Sequence, residues 1–423
     1  MRQKIAIIGS GISGLVAGHY LHSKYDITIF EKEDWIGGHS HTVSVNKDLA
    51  VDTGFIVFNN RNYPNFKQLL DELGVKYQPT EMSFAVRNDE AKLEYKGSNL
   101  KGLFADKFNI FRPKFLRLIL EILRFNSLAK TRQYDSEDQV EDFIKKHRFS
   151  KEFVDGYLLP MGSAIWSMGL KDMYKFPMDF LVKFFANHGL LDLKNRPQWY
   201  TIVGGSQQYV EKLFGSFHDK ILLNSEVTTV RRQGDKVLVS YCTERGSQNE
   251  VLTQGFDHVI FACHAPQALA VLADNATSVE YDVLSKIKTS ANNVVLHTDI
   301  NLLPRRPNAY ASWNYLFTNN SNSQATVTYN MNILQRLSSL QTASKTYCVT
   351  LNGKELIDPS KIIAEFNYYH PIYTVESMLA RMRWDEISGI ERIHFCGAYW
   401  YNGFHEDGVV SALKVCRFFS KDN

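Results

Sequence analysis

The sequence predicts an α/β fold in which a parallel-sheet domain is interleaved with a mixed α+β domain. Three observations lead there. An apolar run near the N-terminus breaks into closely spaced glycines, a strand–glycine–helix pattern returns far downstream, and the segments between them fit neither pattern. At 423 residues the chain is also long for one hydrophobic core and suits two domains.

The first element is the run Ile5 to Ile8, β-branched and uncharged as a buried parallel strand requires, and it stops at Gly9. Gly9, Gly11 and Gly14 form G-x-G-x-x-G, with Ile12 and Ser13 opening the helix that follows. The first glycine permits the tight turn, the second lets backbone approach a pyrophosphate, and the third lets helix pack on strand. Phosphates then sit at a helix N-terminus, where unpaired N–H groups and the dipole favour negative charge. A second strand, Ile27 to Phe30, ends in Glu31, 22 residues after Gly9, with Lys32 beside it. A carboxylate there accepts hydrogen bonds from ribose hydroxyls and repels a 2′-phosphate. Strand, glycine turn, helix, strand and acid together define a Rossmann-type dinucleotide site.

Gly37 and Gly38 follow, then "HSHTVSVNKDLAVDTGFIVF" with His39, Thr53 and Gly54. His39 and His41 stand two apart but lack a nearby carboxylate or thiol partner, so no metal is expected and His39 is assigned to lining the cofactor. Downstream, "TIVGGSQQYVEKL" reads as strand end, glycine turn and helix, followed by the strand-like "KILLNSEVTTVRRQGDKVLVSY" and the buried-looking "HVIFACHAP". The dinucleotide domain is therefore expected from residues 1–80, 196–275 and 380–423. The substrate domain is expected from residues 81–195, which look helical, and 276–379, which look strand-rich.

Within the helical part, Phe111 to Arg132 combines Phe115, Leu116, Ile119, Leu120 and Leu123 on one face with six basic residues against Glu121 alone. Two readings stay open: a helix lying on an anionic membrane surface, and a core-facing helix with a solvated basic side. The formal net charge of +3 gives no case for nucleic acid. Five scattered cysteines without C-x-x-C suggest reduced thiols. Four glycines argue against reading Ile5 to Leu21 as a signal segment, and no stretch nears the ~18 apolar residues of a membrane span. The expectation is a cytoplasmic chain, with peripheral contact at the inner membrane face through 111–132.

The glycine loop, Glu31 and Gly37–Gly38 resemble the flavin amine-oxidase-like superfamily. The resemblance implies FAD, with Gly37–Gly38 along the pyrophosphate and ribityl chain and Val227 of "EVTTV" at the adenine end. Further segments, "VDTGFIVFNNRNYPNF", "TEMSF", "ASWNYLF", "VTYNMNILQRL", "NYYHPIYT" and "FCGAYWYNGFHEDG", are similar to FAD-dependent, NAD(P)/FAD-binding oxidoreductases associated with cyclopropane-fatty-acyl-phospholipid synthases. That likeness implies a lipid or fatty-acyl substrate and a functional link to a synthase-like methyltransferase. It also places Gly397, Asp407, Gly408 and Val409 at the flavin, with Asp407 as N-cap of the last helix. FAD is expected to be non-covalent, since no cysteine lies between Gly397 and Gly408.

Two departures weigh against amine oxidation. Where the amine-oxidase motif carries Gly-Tyr, this chain has Gly403–Phe404, and the strand "ANNVVLHTDI" has no lysine. His405 and Glu406 are the candidate acid–base groups. Trp313, Tyr329, Asn330, Tyr399, Tyr401 and Phe404 are candidates for the substrate pocket. Four activities remain in view: oxidation or desaturation of an acyl chain, redox-neutral double-bond isomerisation, amine oxidation, and a flavin-holding partner of a lipid methyltransferase without turnover.

Overall fold

The structure, a computed structural model, describes residues 2–131, 134–135, 137–192, 194–245, 248–317, 325–337 and 345–420, so Arg132 lies outside the described residues. A five-stranded parallel sheet runs in the order Ile221–Leu222, Asp26–Phe30, Lys4–Ile8, His258–Phe261, Ile393–Phe395. Its strands come from the beginning, middle and end of the chain. Ile5, Ala6 and Ile7 at its centre are fully buried, which explains their uninterrupted apolar run.

Helix Ile12–Leu21 covers one side of this sheet and packs against the last helix, His405–Ser420. Gly408 makes that approach possible. A Cβ there would lie 2.6 Å from Ile12 Cγ2, and the Gly408 carbonyl accepts a 3.0 Å hydrogen bond from Ser13 Oγ. An antiparallel sheet of Ser225–Gln233, Lys236–Arg245 and Gln248–Phe256 covers the parallel sheet, with Tyr241 and Phe256 packed on Phe30.

A seven-stranded sheet forms the other half, in the order Ile362–Pro371, Thr289–His297, Cys348–Leu351, Thr326–Asn330, Trp313–Leu316, Phe84–Asn88, Leu93–Lys96. Its last two strands correct the helical expectation for residues 81–195. They are only 5 and 4 residues long, too short to show a period, and the parallel pairing of Phe84–Asn88 with Trp313–Leu316 is a long-range event. Helices dominate afterwards, among them Pro113–Thr131, Leu159–Trp166 and Met178–Asn187. The strand end, glycine turn and helix read in "TIVGGSQQYVEKL" are all present. Trp199–Ile202 pairs antiparallel with Val57–Asn59 and Tyr77–Thr80, outside the parallel sheet.

Pro113–Thr131 carries two apolar stripes. Phe115, Leu118 and Phe125 point into the core, while Leu116, Leu120 and Leu123 are exposed. Among the described residues no helix is long and apolar enough to cross a membrane. Two large hydrophobic clusters result, one around each sheet, and Trp199 and Phe404 pack against both.

Candidate active site

A cavity of about 860 Å³ runs along the seam between the two clusters. Its first end is built of backbone. Gly9 has φ +104°, and a Cβ on Gly14 would lie 2.0 Å from the Gly9 carbonyl oxygen, so the turn tolerates no side chain at either position. Gly11 faces open space; Gly37, at φ +121°, pairs with it across a single bridge, and a Cβ on Gly38, at φ +57°, would lie 3.2 Å from the Gly11 Cα. Gly9, Gly11, Ile12, Ser13, Gly37 and Gly38 all line the cavity, whereas Gly14 serves the turn from behind.

Glu31 and Lys32 also line this end. Glu31 Oε2 accepts from Ser10 N at 2.9 Å and Ser10 Oγ at 2.6 Å, and Oε1 from Glu33 N at 3.0 Å. The carboxylate is thereby fixed in place, with a lone pair on Oε1 left for a further donor such as a ribose hydroxyl. Val227 follows Ser225, whose N–H donates to the Glu31 carbonyl at 2.8 Å, and both line the same end.

His39, Thr53 and Gly54 come together because the chain doubles back: Thr53 N donates to His41 O and Phe55 N to His39 O. His39 Nε2 is buried without a partner in the protein. Around His39 stand His264 and His370, ring centres 5.9 and 5.5 Å away. Burial lowers the three histidines to about 4, 3 and 3, so all are neutral near pH 7. A bare glycine cradle, a positioned carboxylate and an orphaned buried imidazole nitrogen fit a dinucleotide's pyrophosphate and ribose.

The C-terminal segment separates into distinct roles. Gly397, Tyr399, Phe404 and His405 line the cavity; Tyr401, Glu406, Asp407, Gly408 and Val409 do not. His405 stacks on Phe55, ring centres 3.7 Å apart, and its Nε2 pairs with Tyr209 Oη at 2.6 Å. Tyr209 Oη in turn meets Ser40 Oγ at 2.6 Å. Burial pushes His405 down to about 3, with nearby His39 adding to the effect.

Glu406 departs from the acid–base role expected of it. Its Oε1 accepts from Asn65 N and Nδ2 at 3.1 and 2.6 Å, and its Oε2 from Phe66 N at 2.8 Å. These are the free N–H groups at the start of helix Pro64–Glu72, whose own N-cap, Tyr63, supplies no side-chain acceptor. Glu406 therefore caps a neighbouring helix. Asp407 is corrected too: the last helix starts at His405, which puts Asp407 in its first turn. From there Asp407 Oδ2 accepts from Phe404 N at 2.8 Å, half of a capping box, and burial pushes the carboxyl up to about 6.

Of the pocket candidates, Trp313 and Tyr329 line the cavity as an edge-on pair 5.2 Å apart. Tyr399 joins them with a buried hydroxyl that finds no partner. Phe404 stacks on Phe184 at 4.9 Å. Asn330 and Tyr401 lie off the cavity. Asn330 donates its N–H to Ser312 O, and the Tyr401 carbonyl accepts from Arg381.

Sequence reasoning missed Tyr209, Tyr368, His264 and His370. Tyr368 Oη meets Thr53 Oγ1 at 2.7 Å and His41 Nδ1 at 3.0 Å. The signal for both histidines was present, since each sits within two residues of a proline at a strand end, in "CHAP" and "YYHP". Also missed was the cavity's second end, lined by Met82, Phe84, Leu103, Ile119, Ile122, Met161 and Ile165.

Comparison with known proteins agrees with this geometry. Protoporphyrinogen oxidase 2 of Arabidopsis thaliana is 25% identical over 293 residues, 61% of this chain and 56% of that protein. An L-amino-acid oxidase of Siganus canaliculatus is 24% identical over 59% of this chain and 47% of its own length. The chain thus spans about half the length of these curated relatives. Among solved structures, a cofactor-binding redesign of putrescine oxidase superposes with a TM-score of 0.70 at 14% identity, covering 100% of this chain and 99% of that one. The CLA-producing fatty acid isomerase from P. acnes superposes with a TM-score of 0.69 at 17% identity, covering 99% of both chains. The profile of the flavin containing amine oxidoreductases matches residues 12–325, from the glycine loop well into the seven-stranded sheet. The chain therefore belongs to the flavin containing amine oxidoreductase family, and FAD is the dinucleotide its glycine cradle is built for.

Proposed function

We propose that the chain is an FAD-dependent oxidoreductase that withdraws hydrogen from a fatty-acyl chain, oxidising or desaturating it. One observation carries this reading: beyond Phe404 and His405 the cavity continues into an apolar arm without a carboxylate. The three lining carboxylates, Glu31, Glu33 and Glu226, all belong to the cofactor end. An ammonium group entering the arm finds no counter-charge, whereas each methylene buried there gains about 0.8 kcal/mol. Phe404 adds to the contrast, since it offers a ring without a hydroxyl. The sequence likeness to oxidoreductases linked with cyclopropane-fatty-acyl-phospholipid synthases, and the fold shared with a fatty acid isomerase, point the same way.

FAD, when bound, supplies hydride acceptance. The protein's own part is to hold the chain extended in the arm, exclude water and provide for the accompanying proton. Ser40, Tyr209 and His405 form a hydrogen-bonded chain beside the aromatic lining. Because His405 stays neutral, this chain can pass a proton without leaving a fixed charge in an apolar site.

Anaerobic mixing of the FAD-loaded chain with free and phospholipid-esterified unsaturated acyl chains tests the reading. Bleaching of the flavin band, with a product lacking two hydrogens, supports it. A product of unchanged mass with a moved double bond replaces it by isomerisation. Peroxide released from amines, with no response to acyl chains, replaces it by amine oxidation. No turnover, with cellular lipid modification lost only when FAD binding is lost, makes the chain a flavin-bearing partner of a lipid methyltransferase.

A further inference from the structure

Seven of the nineteen large apolar side chains exposed among the described residues fall between Leu100 and Leu123. They are Leu100, Phe108, Ile110, Phe111, Leu116, Leu120 and Leu123, and Phe111, Leu100 and Phe108 are 81%, 74% and 69% exposed. Single exposed apolar residues are ordinary; a concentration of this kind marks a surface that something covers. The same segment holds five basic and two acidic residues, and Arg124 follows directly. Both acids are withdrawn from the surface. Asp106 is buried against Arg112 and Arg306, and Glu121 is buried with its carboxylate on Ser150. Lys101, Lys107, Lys114 and Arg117 remain exposed, with exposed Arg124 just beyond; Lys114 faces the partly buried Glu152 at 3.6 Å, so the fringe of the apolar patch is predominantly basic.

The patch also surrounds an opening of the cavity. Leu123 is 44% exposed and yet lines the apolar arm. Leu103, Ile119 and Ile122, interleaved with the exposed residues, line it as well, and so do exposed Gly97 and Ser98 just ahead of Leu100.

We infer that the segment from Leu100 to Leu123 docks on an anionic lipid bilayer, its apolar side chains entering the acyl boundary and its basic fringe meeting the headgroups. Docking in this orientation sets the mouth of the arm against the membrane, so an acyl chain passes from lipid to cavity without crossing water. The patch is too short to span and its apolar stripe lies parallel to the surface, the arrangement of an interfacial helix. The inference deepens the proposed function and rests on its acyl substrate.

Co-sedimentation of the full FAD-loaded chain with phosphatidylcholine vesicles, with and without phosphatidylglycerol, tests it. The chain is expected to pellet with the anionic vesicles and to be released by high salt. Combined Phe108→Ser, Phe111→Ser and Leu120→Gln lowers partitioning at least tenfold, with FAD content and melting temperature unchanged. Combined Lys101→Glu, Lys107→Glu and Lys114→Glu abolishes the preference for phosphatidylglycerol. A wild-type chain that stays in the supernatant at every composition overturns the inference. So does a concentration-dependent dimer dissolved by the same apolar substitutions, which shows a second copy covering the patch. Vesicle binding without flavin reduction by any acyl chain removes the proposed function and leaves the docking. Flavin reduction by dispersed short acyl chains without vesicle binding does the reverse.

Discussion

The two ends of the cavity are made of different material. At the cofactor end Gly9, Gly37 and Gly38 present bare backbone at positive φ angles, and Gly11 beside them faces open space. At the apolar end Leu103, Ile119, Ile122, Met161 and Ile165 present side chains from separate helices and turns. A site built of backbone is intolerant of a single added carbon. A site built of flexible side chains accepts changes of shape and is sensitive chiefly to charge.

The largest effect expected from that contrast is at Gly14. Gly14→Ala sets a Cβ against the Gly9 carbonyl oxygen, 2.0 Å away, and nothing there can give because the contact is backbone. Loss of bound FAD and ~3 kcal/mol of stability are expected, read by flavin absorbance after gel filtration and by denaturant unfolding. Retained FAD would break the comparison at its firmest point.

The histidines joining the two ends come next. His39, His264, His370 and His405 are lowered by burial to about 4, 3, 3 and 3 from the usual 6.5. Below pH 6.5 the unfolded chain therefore binds more protons than the folded one, and stability present above that pH is lost as pH falls toward 4. Asp52 and Asp407, raised by burial to about 6, act with the opposite sign: their contribution is present below about 4 and lost as pH rises through 6. Four groups outweigh two, so lowering the pH from 7 to 5 costs about 2 kcal/mol or more, measured as a falling melting temperature. A melting temperature that rises over this range would mean these four histidines are charged in the folded chain.

Glu406 sharpens the comparison by separating structure from chemistry. Glu406→Gln weakens the cap on helix Pro64–Glu72 and is expected to cost ~2 kcal/mol while leaving the anaerobic rate of flavin reduction within about twofold. A collapse of that rate in a stable variant would return Glu406 to the catalytic machinery. The smallest effect is Ile122→Asp, which puts a carboxylate in the apolar arm. It should weaken acyl-chain binding about tenfold, ~1.4 kcal/mol, with FAD content intact. An unchanged affinity would show that the acyl chain takes another route.

Legibility in the sequence followed the range of the interactions. The strand–glycine–helix unit was readable because its determinants lie within one turn of the chain: Gly9 takes a left-handed φ and Gly14 clears the Gly9 carbonyl, each a local steric demand. The same holds for the last helix, although its start was misplaced by three residues because Asp407 caps from inside the first turn. Strands Phe84–Asn88 and Leu93–Lys96 were missed because each is only a few residues long and the hairpin they form is ordered by Phe84–Asn88 pairing with Trp313–Leu316, more than two hundred positions away. Glu406 was misjudged for a similar reason. A carboxylate beside a histidine reads as a chemical pair, but its partners, Asn65 and Phe66, lie on a helix over three hundred residues earlier.

By itself, then, the sequence determined the dinucleotide cradle, the family and the cofactor, because these depend on backbone geometry encoded over a few residues. Only the tertiary structure decided which face of "GFHED" meets the cavity, brought His264 and His370 to His39, and joined an apolar arm to an exposed patch between Leu100 and Leu123. Those outcomes depend on where distant elements pack, and side-chain direction is set only after the two sheets have closed on their common seam.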